Sequence, residues 1–109
     1  MLQLRADDRV LCLAIPPLRE AAAMGRTLSA GCLVALGTKD EVDEARRALS
    51  ELDNLMFVES AGAAIPWRDA FFTKIVVPPQ MTPIAATFGG ELQRVLAPGG
   101  EIISSGEDA

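Results

Sequence analysis

Between Arg9 and Ser104 the chain alternates short apolar runs with stretches of helical periodicity, and this alternation limits the fold more than any other feature. Strand and helix in strict turn build βαβ units, which pack as a parallel sheet covered by helices. The apolar runs are Arg9–Ile15, Cys32–Leu36, Leu55–Glu59, Phe71 or Phe72 to Val77, and Glu101–Ser104. The first is nearly continuous in apolar residues, the pattern of a strand buried on both faces. Between the runs, Leu18 to about Met24 is a short alanine-rich helix after Pro16-Pro17, with Gly25 as its stop. Thr38-Lys39-Asp40-Glu41 is a capping box, and it opens a helix whose Val42, Ala45, Leu49 and Leu52 form one stripe. Thr82-Pro83 opens a third helix, to Leu96, with Ile84, Phe88, Leu92 and Val95 at helical spacing. Ser60–Ala70 has no such period and reads as a loop, with Trp67 as its anchor over the core.

Charge excludes several partners. The net charge of -5, with Lys and Arg scattered, argues against nucleic acid and against an anionic membrane surface. No apolar run is long enough to span a bilayer, and the first eight residues lack a signal-peptide pattern, so a cytoplasmic address is expected. Cys12 and Cys32 each lie inside an apolar run and read as core thiols in neighbouring strands. The chain has no histidine, which rules out a histidine base and leaves only carboxylates and thiols for a metal. The acids Asp40, Glu41, Asp43 and Glu44 fit a solvated helix start better than a metal site.

"ELQRVLAPGGEII", Glu91 to Ile103, resembles the helix, proline-glycine-glycine turn and fifth strand of class I S-adenosylmethionine-dependent methyltransferases. "NLMFVESAGAAIPWRDAFFTKIVV", Asn54 to Val77, is similar to that family's third strand, following loop and fourth strand. "DEVDEARRAL" resembles the helix after its second strand. The resemblance runs from Asp8 to Ser104 and implies a single Rossmann-like α/β domain. It further implies an open, mostly parallel sheet in the order 3-2-1-4-5, with ligands at the reversal of strand order.

The family's cofactor contacts carry over poorly. Its first strand ends in an acidic residue and a glycine-x-glycine-x-glycine loop; the matching positions here are Cys12, then Ala14, Pro16 and Leu18. The carboxylate that grips the ribose falls at Leu36, next to Gly37. The aspartate that holds the adenine amine falls at Ala61, beside Gly62. At the end of the fourth strand, members acting on exocyclic amines or amide nitrogens carry asparagine or aspartate, two prolines and an aromatic residue; here Val77 and Gln80 flank Pro78-Pro79.

From these losses the leading expectation is a methyltransferase-like domain without a cofactor, a pseudoenzyme serving as a binding or assembly module. One alternative is a methyltransferase with an atypical S-adenosylmethionine site supported by Gly37, Thr38 and Gly62. Another is a small-ligand pocket in the old cleft, walled by Ile15, Leu36, Ile65 and Val77. The sequence names no protein partner. A homodimer is expected, because one helix is too little to cover the sheet's second face and the last strand offers an open edge. Ile102, Ile103, Trp67, Phe71 and Phe72 are the contacts expected there.

Overall fold

The computed structural model describes residues 4–59, 65–78, 88 and 90–104. At the centre of the sheet lies β1 (Arg9–Cys12), whose Val10, Leu11 and Cys12 are all buried. Apolar side chains at consecutive positions point to opposite faces, so both faces must be covered. β1 pairs in parallel with β2 (Cys32–Gly37) on one side and β4 (Phe72–Val77) on the other. β3 (Leu55–Glu59) extends the sheet beyond β2, and β5 (Leu96–Ser104) extends it beyond β4. The result is a five-stranded, all-parallel, Rossmann-like sheet in the order β3-β2-β1-β4-β5, as the resemblance implies. The order reverses between β1 and β4, and the carboxyl ends of those strands face the same way.

One face is covered by α1 (Leu18–Thr27) and α2 (Lys39–Ala48). Val10, Cys12, Leu33, Ala35, Leu55 and Phe57 meet Ala21, Leu28, Val42 and Ala45 there. α2 begins as the sequence predicts: Glu41 N–H donates to Thr38 Oγ1 at 3.3 Å, and Thr38 N–H donates to the Glu41 carboxylate at 2.9 Å. α1 departs from expectation. It runs past Gly25 to Thr27, and Gly25 is buried inside it. A Cβ on Gly25 would lie 3.0 Å from Leu55 Cδ2, so the residue is small because β3 packs against it. Cys12 is buried, and burial pushes its thiol pKa up to about 12. Cys32 is only half-buried and starts its strand rather than lying deep within it.

The second face is better covered than a single helix would suggest. Leu11, Leu13, Val34, Leu36, Ile75 and Val77 are buried beneath Ile65, Phe88, Leu92 and Val95, with Trp67 and Phe71 packed at the margin. Trp67 anchors its loop as expected, with ring centroids 5.6 Å from Phe71 and 5.9 Å from Phe72. Loop side chains thus supply cover that helical periodicity could not reveal. Of the predicted helix Thr82–Leu96, most of the first half lies outside the described residues, and the helix described is α3 (Glu91–Val95). β5 starts at Leu96, not at Glu101. Phe72 pairs with Leu96 and Lys74 with Glu101, so the intervening residues of β5 form an irregular excursion through Pro98-Gly99-Gly100. Gly99 turns it at φ +81°, where a side chain would be strained.

Candidate functional site

Strand ends place the candidate residues. After β1, Leu13 stays in the sheet, its N–H donating to the Val76 carbonyl at 3.1 Å. The chain then leaves through half-buried Ala14, Ile15 and Pro16 to exposed Pro17, which caps α1 without a side-chain hydrogen bond. Two consecutive prolines fix φ and remove two N–H donors, so this loop cannot present the backbone cradle of a glycine-rich turn. Leu18, at the third glycine's position, is the first residue of α1 and packs against the core under that helix.

The other predicted positions separate. Leu36 and Val77 are 2% and 3% exposed and belong to the core of the second face. Ile65, 3% exposed, joins them there, whereas Ile15 packs on the opposite side, with the α1 and α2 core. Of the four residues expected to wall an apolar pocket, Ile15 thus joins one core and Leu36, Ile65 and Val77 join the other. Ala61, Gly62 and Gln80 lie outside the described residues.

What does converge is Ile15, Gly37 and Glu41. Gly37, the last residue of β2, is half-buried. A Cβ on it would meet Ile15 Cδ1 at 2.8 Å, Ile15 Cγ1 at 3.1 Å and Glu41 Oε1 at 3.2 Å. Glu59, the last residue of β3, lies level with Gly37 in the parallel register and is exposed. The carboxyl end of β2 therefore carries bare backbone beside an acidic group. That group comes from the first turn of α2 rather than from Leu36, where alignment of the motif had put it. The only earlier sign of it was a capping box, which is a local feature of the helix.

A second polar cluster lies at the opposite end of the sheet. A cavity of about 360 Å³ is bordered there by Arg5, Asp8, Arg9, Thr73, Lys74 and Glu101, among others. Asp8 accepts from Arg5 N–H at 2.7 Å and Thr73 Oγ1 at 2.9 Å, and the Lys74 ammonium is 3.5 Å away. Burial would raise the Asp8 carboxyl, but the Arg5 and Thr73 hydrogen bonds and the Lys74 charge outweigh it and hold the pKa below 3.8. Its partners are all supplied by the fold, so the cluster acts as a seam between the N-terminal segment and β4.

No family model matches the sequence, and no curated protein matches it. Solved structures do. An S-adenosylmethionine-dependent methyltransferase from Aquifex aeolicus superposes with a TM-score of 0.73 at 20% identity, over 86% of this chain and 53% of that one. A putative methyltransferase from Bacillus halodurans gives 0.71 at 24% identity, over 91% and 44%. The [4+2]-cyclase SpnF gives 0.75 at 20% identity, over 91% and 38%. The chain thus has the class I methyltransferase fold and spans between 38% and 53% of the length of these three proteins.

These likenesses correct the expectation that the chain takes no cofactor. Its frame is that of proteins described as S-adenosylmethionine-dependent methyltransferases. Ala14, Pro16, Leu18 and Leu36 depart from the pattern that the resemblance implies, while the sheet keeps its strand order and register at that end. Among the described residues, nothing shows that binding has been lost.

Proposed function

We propose that this chain is an S-adenosylmethionine-binding domain of the methyltransferase type with an atypical cofactor site. The observation that carries the reading is the Glu41 carboxylate beside the bare backbone of Gly37, at the carboxyl end of β2. A ribose diol docking at that strand end needs an acceptor. Glu41 supplies one from α2, and one of its oxygens already holds Thr38 N–H, which fixes the side chain in place. Glu59 adds a second carboxylate on the neighbouring strand end. An acidic rim attracts a sulfonium nucleoside and repels a phosphate-bearing dinucleotide. Pro16 and Pro17 also lack the N–H groups that phosphates need. The bound group would bring a methyl activated by its sulfonium; the chain's own residues bind and orient it.

Thermal denaturation with increasing S-adenosylmethionine tests this. A ligand at 100 times its dissociation constant adds about 2.7 kcal/mol, and each kcal/mol moves the midpoint of a domain this size by roughly 4–8 °C. Glu41→Gln retains an oxygen for Thr38 N–H, yet should lose most of the shift. An unchanged midpoint of the unaltered protein at millimolar ligand would remove the reading.

A second reading, that the loaded domain binds or assembles rather than catalyses, is favoured by Val77. A buried valine ends β4 where methyltransferases acting on exocyclic amines or amide nitrogens carry asparagine or aspartate, and it offers such a target nitrogen no hydrogen bond. We propose self-association along β5 as the form such assembly takes, since Ile102 is the large apolar side chain exposed among the described residues. Light scattering at micromolar concentration should give twice the chain mass, and Ile102→Lys should return it to one.

A further inference from the structure

Ile15 owes its position to the residues that follow it. A residue before proline is held away from helical φ/ψ, and Pro16 and Pro17 are themselves fixed at φ. The backbone from Ile15 to Pro17 is therefore stiff, and the Ile15 side chain is directed across to the end of β2. It lies half-buried at the edge of the α1 and α2 core, with Cδ1 2.8 Å from the point a Gly37 Cβ would occupy. Glu41 Oε1 is 3.2 Å from that same point. One branched apolar side chain thus overhangs the bare backbone of Gly37, while the Glu41 carboxylate beside it stays exposed.

We propose that Ile15 is the gate of the cleft. A nucleoside that places its ribose diol on Glu41 and Gly37 must first displace the Ile15 δ-methyl. This inference rests on the reading of the cleft as an S-adenosylmethionine site and names what limits its affinity. Because the prolines hold the backbone, displacement falls on side-chain rotation and loses packing against the core. A site that is competent for only a fraction of the time binds more weakly by that fraction. The gate acts on whatever ligand part reaches Gly37. It therefore weakens S-adenosylmethionine, its demethylated product and adenosine alike, since all three carry the same ribose diol.

Ile15→Val deletes the very atom that covers Gly37, and Ile15→Ala deletes the rest of the branch beyond Cβ. Calorimetric titration with S-adenosylmethionine and with adenosine should show tighter binding in the order Ile15→Ala, Ile15→Val, unaltered protein, with about a tenfold span. The ligand-free melting temperature should move the other way, falling as packing is removed. A side chain that only supports the fold cannot produce that opposition: its removal would lower stability and leave affinity unchanged or weaker. Gly37→Ala, which puts a methyl where the Ile15 branch now lies, should weaken both stability and binding. If the unaltered protein binds and the Ile15 variants bind no tighter, the gate is overturned while the cofactor reading stands. If neither the unaltered protein nor Ile15→Ala binds either ligand at millimolar concentration, both fall. Binding by Ile15→Ala alone would support the gate while removing the reading of the unaltered protein as an S-adenosylmethionine binder.

Discussion

Arg94 and Glu91, three residues apart on α3, hold Ile65 by both of its backbone groups. Ile65 N–H donates to Glu91 Oε1 at 3.0 Å, and Arg94 Nη2 donates to the Ile65 carbonyl at 2.8 Å. The remaining donors of Arg94 reach the Trp67 carbonyl, Asp69 Oδ1 and both Glu91 oxygens. All five guanidinium N–H groups are therefore used, and the segment that covers the second face is tied to the helix beside it. The same clamp holds Ala70 at φ 53°, with its N–H on the Arg94 carbonyl at 2.8 Å.

The clamp predicts an acid-sensitive fold. Hydrogen bonds from Arg94 and from Ile65 N–H lower the Glu91 carboxyl from 4.5 to about 2. A carboxylate depressed in the folded state stabilises above its unfolded pKa, and that contribution is lost as pH falls from about 4.5 towards 2. Asp8, also held low, adds to the loss below 3.8. Urea midpoints measured from pH 7 down to pH 2 should fall steeply across that window. Glu91→Gln should flatten the fall, and an unaltered slope in the variant would show that the clamp does not couple to folding.

Asp8 itself should be costly to remove. It is 5% exposed and accepts from Arg5 N–H and Thr73 Oγ1 while facing Lys74. Asp8→Ala leaves those donors to find water in a partly closed seam, a loss of about 2 kcal/mol. Denaturant unfolding at pH 7 checks it, and a loss well under 1 kcal/mol would mean that the cavity at that seam hydrates them freely.

The parts legible from sequence are those whose cause is local. Thr38 and Glu41 find each other within one helical turn, so the start of α2 is legible to the residue, whereas the helix ends at Ala48, short of the expected Leu49 and Leu52. The apolar runs mark β3 and the end of β4 because both faces of these strands pack against apolar cores. Arg94 was not legible, because its acceptors at Ile65, Trp67 and Asp69 lie 25 to 29 residues away. β5 began earlier than expected because pairing with Phe72 outweighs the turn residues Pro98-Gly99-Gly100. At the site, motif alignment indicated a residue position in the strand, Leu36, whereas the acidic group arrives through space from Glu41. Ile15 and Leu36 sit near the same strand ends, but Ile15 lies beyond β1 in the following loop, and its side chain joins the α1 and α2 core while Leu36 belongs to the other face.

Thr38→Ala should destabilise the domain by about 1 kcal/mol, since it removes the acceptor for Glu41 N–H. It also frees Glu41 from half of its capping box, so the carboxylate beside Gly37 should be less well positioned. S-adenosylmethionine affinity is therefore expected to fall with stability in this variant, in contrast to the Ile15 series. Titration and urea unfolding of the same preparation compare the two, and unchanged affinity would show that Glu41 is held in place without the cap.

Gly31→Ala should be the most damaging of the small substitutions. A Cβ at Gly31 would lie 1.9 Å from the Asp8 carbonyl oxygen, and that oxygen already accepts Cys32 N–H at 3.2 Å. Gly31 N–H is bonded to the Leu28 carbonyl at 3.0 Å and Ala30 N–H to the Ala6 carbonyl at 2.9 Å, so the segment cannot shift alone. The added methyl must push the start of β2 away from the residue before β1, breaking that pairing. A cost of about 3 kcal/mol is expected, at the upper end of overpacking. Gly99→Ala makes the comparison informative. Its φ of +81° penalises a side chain, yet a Cβ there meets nothing within 4 Å, so roughly 1 kcal/mol is expected. Urea midpoints of the two variants should therefore differ clearly, with Gly31→Ala the lower. The reverse order would mean that the β1–β2 entry yields more readily than its hydrogen bonds allow.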